Sequence, residues 1–466
     1  MELQLDPDRL LPVDPATRAL ARSLYDRVAQ LPIISPHGHV APSLLRDDAP
    51  FSDPTNLLIT YDHYVTRLLH AAGVDLAELG AGTAAEADPR AVWRLFCENW
   101  HLYYGTASGY WLTHELVTLF GITTEPSAES ADALYDEIAR RLALEDFRPR
   151  ALFERFGIEV LATTDDPMDD LAVHAALAAD PTFAGRVLPT FRPDAYLDPT
   201  APAFRGNIER LTGTAGAAPD DFDGYLEALR ERRAHFIRHG AVSADHGVRE
   251  PLTLDLDRSE AARLYRGAVA GTLSVDEAHA FSAHMLFQMA GMSVDDGLVM
   301  TLHAGVHRNH SASTFERFGP DTGHDIPVRT EYTKSLQPLL NAYGLEKDFH
   351  LVLFGVDETV FSREIAPLAG FYPSVYIGAP WWFLDAPDAV HRFRSAVTET
   401  AGFYRGSGFI DDTRAFLSIP ARHDMARRLD AGFLARLTRE GRLTPAQAER
   451  IAVDLVDSIP RKVFKL

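Results

Sequence analysis

Eight short apolar runs, each closing on polar residues and separated by helix-like stretches, constrain this chain more than any other feature. They span residues 31–37 (LPIISPH), 158–164 (IEVLATT), 187–191 (VLPTF), 241–245 (AVSAD), 299–303 (VMTLH), 351–355 (LVLFG), 375–378 (VYIG) and 408–411 (GFID). Most are rich in Val, Ile, Leu and Phe, the signature of strands buried on both faces; the last is the weakest by pattern. Helical patterns at 169–179, 221–239, 274–290, 330–342 and 387–402 alternate with them. Such alternation predicts a parallel sheet with right-handed crossovers, and eight units predict a closed α/β barrel of the (β/α)8 TIM type. The regularity fails once. Roughly 120 residues separate the first two runs, far beyond an ordinary crossover. The spacing predicts one catalytic barrel over residues 1–466, with a helical insertion at 41–150 after the first strand. Residues 91–104 and 110–120 read as its helices, and 80–89 as an exposed loop. A last helix is expected over 445–456, outside the barrel.

Composition narrows the partners. Lys and Arg number 45 against 66 Asp and Glu, a net charge of −21, so nucleic acid is not an expected partner. An anionic substrate would be repelled at long range and would need local arginines. The single cysteine, Cys97, allows no internal disulfide. The first residues lack a signal-peptide pattern and no apolar run reaches about 18 residues, so a cytoplasmic chain without membrane contact is expected. Oligomeric state stays open, a homo-oligomer included.

Barrel enzymes carry their reactive groups at the C-terminal strand ends. Here those ends hold His37 and His39, Asp165 and Asp166, Arg192, Asp245 and His246, His303 followed by Arg308, Trp381, and Asp411, Asp412 and Arg414. A strand repeats its facing every two residues, so His37 and His39 point into the same mouth. Two neutral imidazoles there suit a divalent cation. Asp412 can complete the set, since the first and last strands of a closed barrel are neighbours. Asp411 and Asp412, being adjacent, should face opposite ways, so one alone is expected to ligate. Arg414, two residues beyond Asp412, would share its side and can grip a carboxylate in bidentate fashion. His303 fits a further ligand or a group acting on substrate. His63 and Tyr64 open a helical stretch of the insertion, and a tyrosine over the mouth can exchange a proton with a sugar oxygen. The Asp245–His246 pair reads as an acid/base or substrate-binding pair. Thr164–Pro167 offers substrate contacts or a turn and helix start, and the structural reading is favoured. No dinucleotide fingerprint, phosphate loop or nucleophile elbow is present.

These pieces resemble the uronate isomerases, a branch of the amidohydrolase superfamily. The matching segments are His37-Gly38-His39, Asp62-His63-Tyr64, Thr163 to Leu171 (TTDDPMDDL), Phe191-Arg192-Pro193-Asp194, Asp245-His246-Gly247, Leu302-His303 to Arg308-Asn309, Trp381-Trp382-Phe383 and Asp412-Thr413-Arg414. They cover nearly the whole chain. The resemblance implies a distorted barrel that interconverts D-glucuronate and D-fructuronate, or D-galacturonate and D-tagaturonate. It implies one divalent metal ion, zinc by preference, on His37, His39 and Asp412. Substrate contacts would come from His63, Tyr64, Arg192, His303 and Arg414. The chain departs from the family at Ser35, where an acidic residue is common, at Asp411, where Thr is common, and at His310, where Asn is common. These departures suggest a divergent subgroup and leave the sugar preference open.

Moving a proton between C2 and C1 of an open-chain sugar passes through an enediol, which needs a base, an acid and charge stabilisation at the carbonyl oxygen. Tyr64 and His303 are the expected acid and base, with Asp412 as rival base where it is not tied to metal. Arg192 or Arg414 would clamp the carboxylate. Arg308, Trp381, Asp245 and His246 are further candidate contacts. Two other readings fit parts of the pattern. One is a metal-dependent hydrolase of an amide, ester or lactone; the absence of a lysine at any strand end argues against its two-metal form. The other is a non-catalytic sugar-acid binder, which needs no metal triad.

Overall fold

The computed structural model describes residues 2–83, 86–201 and 203–466. Among the described residues ten strands are formed: β1 (Ile33–Ser35), β2 (Ile158–Ala162), β3 (Arg186–Leu188), β4 (Thr190–Phe191), β5 (Ser243–Val248), β6 (Val299–Ala304), β7 (Val306–His307), β8 (Ile326–Pro327), β9 (Leu351–Gly355) and β10 (Val375–Ile377). Two parallel sheets carry the orders β1-β2-β3 and β10-β9-β6-β5-β4, and β7-β8 is a small antiparallel hairpin. β6 and β9 are buried along their whole length, as their unbroken apolar runs require. Each large side chain so buried contributes about 1.5–3 kcal/mol.

β3 and β4 are halves of one run, split at Pro189, which has no N–H to give to a ladder. Past the break, Asp165 still pairs in parallel with Phe191, so the two sheets join. The ladder does not close on the far side. The expected eighth strand at 408–411 is not formed. Gly408 sits at φ +79°, in the left-handed region, and breaks the extended run. A single parallel bridge, Ile377 to Gly406, links β10 to this segment. Its seam with the first strand is one backbone bond, His39 N–H to Thr413 C=O at 3.0 Å. The architecture is therefore an α/β barrel with a distorted, incompletely paired last stave.

Helices follow the strands much as the pattern predicts. Among them are Ala172–Ala179, Phe222–Arg238, Val275–Asp296, Gln337–Tyr343, Pro387–Ala401 and Pro445–Val456. Val275–Asp296 starts with a capping box, Ser274 with Glu277, and stops at left-handed Gly297. Between β1 and β2 run the helices Ser43–Asp47, His63–Ala71, Pro89–Glu98, Ala107–Thr118, Ala131–Leu142 and Pro149–Arg155. Their aromatic faces, Trp93, Phe96, Trp100, Tyr103 and Phe120, share one apolar cluster with Ile33 of β1 and Ile158 and Leu161 of β2. In the predicted loop at 80–89, Ala84 and Ala85 lie outside the described residues. No helix among the described residues is long and apolar enough to cross a membrane.

One buried cation fixes where β1 begins. Arg427, on helix Ile419–Arg439, donates to the carbonyls of Val28, Ala29, Leu31 and Pro32 at 2.8–3.0 Å. These carbonyls end helix Pro15–Val28 and lead into β1. Burial pulls the Arg427 pKa down to about 10, so the charge persists at neutral pH. Arg427→Met removes four charge-assisted bonds and leaves buried acceptors unpaired. It should cost about 2–4 kcal/mol of stability, read as a lower urea midpoint at unchanged m.

Candidate active site

Strand ends of β1, β2, β5 and β6, together with the loop after Gly408, converge on one carboxylate. Asp412 Oδ1 lies 3.3 Å from His37 Nε2 and 2.9 Å from His39 Nε2, and its Oδ2 lies 4.0 Å from His303 Nε2. The adjacent Asp411 turns the other way, to His423 Nε2 at 3.0 Å. Ligand atoms of His37, His303 and Asp412 all fall within 4.8 Å of one another. The tightest triple thus takes His303 in place of His39, while His39 remains beside the shared carboxylate.

Partner chemistry fixes the tautomers. His303 Nδ1 sits 2.7 Å from Asp245 Oδ1, so that nitrogen carries the proton and Nε2 presents a bare lone pair. Thr164 Oγ1 gives its only proton to the Gly38 carbonyl at 2.7 Å, so it must accept from His39 Nδ1 at 2.6 Å. His39 Nε2 is then bare as well. Both lone pairs face a carboxylate whose Oδ1 has no hydrogen-bond donor, and His303 Nε2 likewise has none. Acceptors crowded on acceptors in a buried site call for positive charge between them. The residues present therefore fit a divalent cation. The electrostatics agree. Burial opposes charge on His37, yet the Asp245 and Asp412 carboxylates overcome it and raise its pKa. His39 is lowered, burial outweighing Asp412. Against their own burial, Asp412 is held well below the usual carboxylate range by His37 and His39, and Asp245 by His303, His37 and Arg192.

Above this cluster opens a cavity of about 540 Å³ lined by His39, His63, Tyr64, Arg192, Arg308, Trp381, Asp412 and Arg414 among others. Asp62 caps helix His63–Ala71 by accepting from Tyr64 N–H at 2.8 Å, which presents His63 and Tyr64 at the rim. Burial drives the His63 pKa down to about 4 and raises that of the Tyr64 phenol. At neutral pH the first is neutral and the second protonated. Arg192 Nε donates to Asp194 at 2.9 Å and lies 3.5 Å from Asp245. Arg308 donates to Asp325 at 2.9 Å over the face of Trp382, and Arg414 lies 3.5 Å from Asp321. Trp381 stands edge-on to His303 with centroids 4.8 Å apart.

One candidate, His246, is brought neither to this cavity nor to the cluster beneath it. β5 runs on to Val248, so Asp245 and His246 are both inside the strand rather than at its end, and consecutive strand residues face opposite ways. Asp245 enters the cluster, whereas His246 lines a neighbouring cavity. Sequence reasoning also missed Asp321 and Asp325, whose loop carries no periodic signal, and favoured a turn role for Thr164 over a place in the site. Asp325 holds both the Arg308 side chain and the backbone of Asn309, which has φ +54°.

A family model described as glucuronate isomerase matches residues 15–462. A uronate isomerase of Corynebacterium efficiens is 57% identical over 99% of this chain and 98% of its own length. A second, from Cutibacterium acnes, is 54% identical over 100% and 99%. The crystal structure of glucuronate isomerase from Caulobacter crescentus superposes with a TM-score of 0.97 at 47% identity, covering 100% of this chain and 98% of that one. With the histidine–carboxylate cluster at the mouth of a distorted barrel, these matches show that the chain belongs to the uronate isomerase family.

Proposed function

We propose that this chain interconverts a hexuronate and its keto isomer, D-glucuronate with D-fructuronate and/or D-galacturonate with D-tagaturonate, at a site holding one divalent cation. The carrying observation is the set of bare acceptors on His39, His303 and Asp412 at the floor of a cavity rimmed by three guanidiniums. Names borne by the relatives support the reading. His37, His39, His303 and Asp412 would hold the ion, and zinc suits an imidazole and carboxylate donor set. When bound, such an ion supplies Lewis acidity toward a carbonyl or hydroxyl oxygen.

The protein groups divide the remaining work. Arg414, with the loosest carboxylate partner of the three arginines, clamps the uronate carboxylate, and Arg192 and Arg308 supply the field that overcomes the −21 net charge. Tyr64, whose phenol stays protonated, donates to the carbonyl oxygen at C1 as the enediol forms and recovers a proton from the C2 hydroxyl as the keto group appears. Asp412, ionised and on the cavity wall, carries the proton between C2 and C1 through the carboxylate oxygen that the ion leaves free. His303, almost wholly buried and stacked on Phe354 with centroids 4.0 Å apart, is better placed to hold the ion than to touch the sugar. We also read the chain as one catalytic unit in which residues 41–150 are an insertion that delivers His63 and Tyr64, and we place its work in the cytoplasm.

Incubation with D-glucuronate and D-galacturonate in deuterated water, followed by proton NMR, should give ketose with solvent deuterium in the product. No turnover of either uronate would overturn the assignment. Tyr64→Phe should lower kcat by about 10²–10⁴ with little change in KM. Arg414→Gln should raise KM about 10- to 100-fold. Elemental analysis should find one zinc per chain and none in a His37→Ala/His303→Ala variant; full zinc in that variant would remove the proposed ion site.

A further inference from the structure

The structure assigns to Arg422 a positioning role in the isomerisation: pinned by Asp385 and laid on Trp111, its guanidinium fixes the Tyr64 ring and so aims the phenol at the sugar carbonyl. The inference rests on the reading of Tyr64 as proton donor. Tyr64 lines the substrate cavity, and its one hydrogen bond among the described residues, to Asp62, holds the backbone N–H and not the hydroxyl. The direction of the phenol is therefore set by what the ring packs against. Trp111, on helix Ala107–Thr118, meets that ring edge to face at 85°, with centroids 5.5 Å apart. Arg422 Cζ stands 3.6 Å from the centroid of a Trp111 ring and 5.3 Å from that of Tyr64. Both distances lie within reach of cation–π attraction, so one cation bridges the two rings.

Arg422 is itself held still. It sits on helix Ile419–Arg439 with its side chain 1% exposed. Its Nη1 donates to Asp385 Oδ2 at 2.6 Å and its Nε to Ser418 Oγ at 3.1 Å. Asp385 is buried as well, and its Oδ1 has no hydrogen-bond partner. A pair so deeply buried, with an unpaired carboxylate oxygen, adds little net stability, since apolar side chains of like volume pack as well without the cost of desolvation. What the pair does supply is a fixed plane under Trp111 and Tyr64. Tyr64 comes from the segment between β1 and β2, Asp385 from beyond β10 and Arg422 from beyond the last stave, so the contact ties the phenol to the barrel. Nη1 also lies 3.4 Å from the carbonyl of Asp411, the neighbour of Asp412, so action through Tyr64 must be separated from action through the ion ligand.

A double-mutant cycle on the metal-loaded, full-length enzyme makes that separation, with steady-state kinetics on whichever hexuronate turns over faster. Two variants remove the support without leaving a buried charge alone. Arg422→Lys keeps the cation but loses the planar guanidinium, and Arg422→Met/Asp385→Asn removes both charges. Each should lower kcat at least about tenfold with KM changed by less than about twofold, the lysine variant losing less. Bound metal per chain should not change. In a Tyr64→Phe background neither should alter kcat by more than about twofold, because the group they position is gone. An unchanged kcat in both variants, the same fold-loss in both backgrounds, a raised KM at constant kcat, or loss of metal would each overturn the inference. A Tyr64→Phe enzyme with intact kcat would overturn the reading of Tyr64 and this inference with it; a slowed Tyr64→Phe enzyme in which the losses multiply would overturn this inference alone.

Discussion

The active end of the molecule hangs on the carboxylate of Asp412. It comes from the one stave of the barrel that fails to pair as a strand, yet it meets two histidines just past β1 and one of β6. Where the ladder offers a single backbone bond at the seam, this meeting of side chains ties the last stave to the first. Asp412 itself adopts φ +41°, an uncommon backbone for a residue with a Cβ. Strain of that kind persists only where surrounding contacts over-determine it, and it concentrates at functional sites. An undistorted eighth strand would not present the carboxylate at this point by the same backbone path.

Outward from that carboxylate, two of the three imidazoles around it are set by what their other nitrogen does. Asp245 takes the His303 proton and Thr164 takes that of His39, and each partner is anchored in turn. Asp245 also accepts from Thr301 at 2.7 Å, and Thr164 donates to the backbone of Gly38. The site is built of buried polar groups whose hydrogen bonds run away from the centre, leaving the centre itself without donors. That arrangement holds lone pairs in place before any cation or sugar arrives, which is what preorganisation means in physical terms.

The rim solves an electrostatic problem. A chain with 21 excess negative charges must admit an anion, and it does so with three arginines over one cavity, each steadied by an acidic residue nearby. Those pairings keep the guanidiniums extended toward the mouth. The contacts differ in closeness, from 2.9 Å at Arg192 and Arg308 to 3.5 Å at Arg414. The helical segment between β1 and β2 contributes through a simple local device: Asp62 caps a helix and so fixes the two residues that follow it. The same long segment buries its aromatic face against the first two strands, which holds the rim to the barrel wall.

Strand periodicity and the apolar runs determined by themselves that the chain would alternate β and α, and where seven of the eight staves lie. Local rules in the sequence likewise sent Asp411 and Asp412 opposite ways and started a helix at His63; His37 and His39 do meet at Asp412, but from the loop after β1 ends at Ser35 rather than from a continuing strand. What remained for the tertiary structure was everything that depends on where a strand stops and what lies across from it. β5 continues three residues past its apolar run, and that extension alone sends His246 out of the site and Asp245 in. Gly408 breaks the stave whose pattern was weakest. The acceptor for His39, the buried Arg427 clamp and the carboxylates behind Arg308 and Arg414 come from residues 17 to nearly 400 positions away in the chain. Periodicity is a property of neighbours along a backbone, so it reads faces and turns. Convergence of distant side chains is a property of packing, and only the folded molecule decides it.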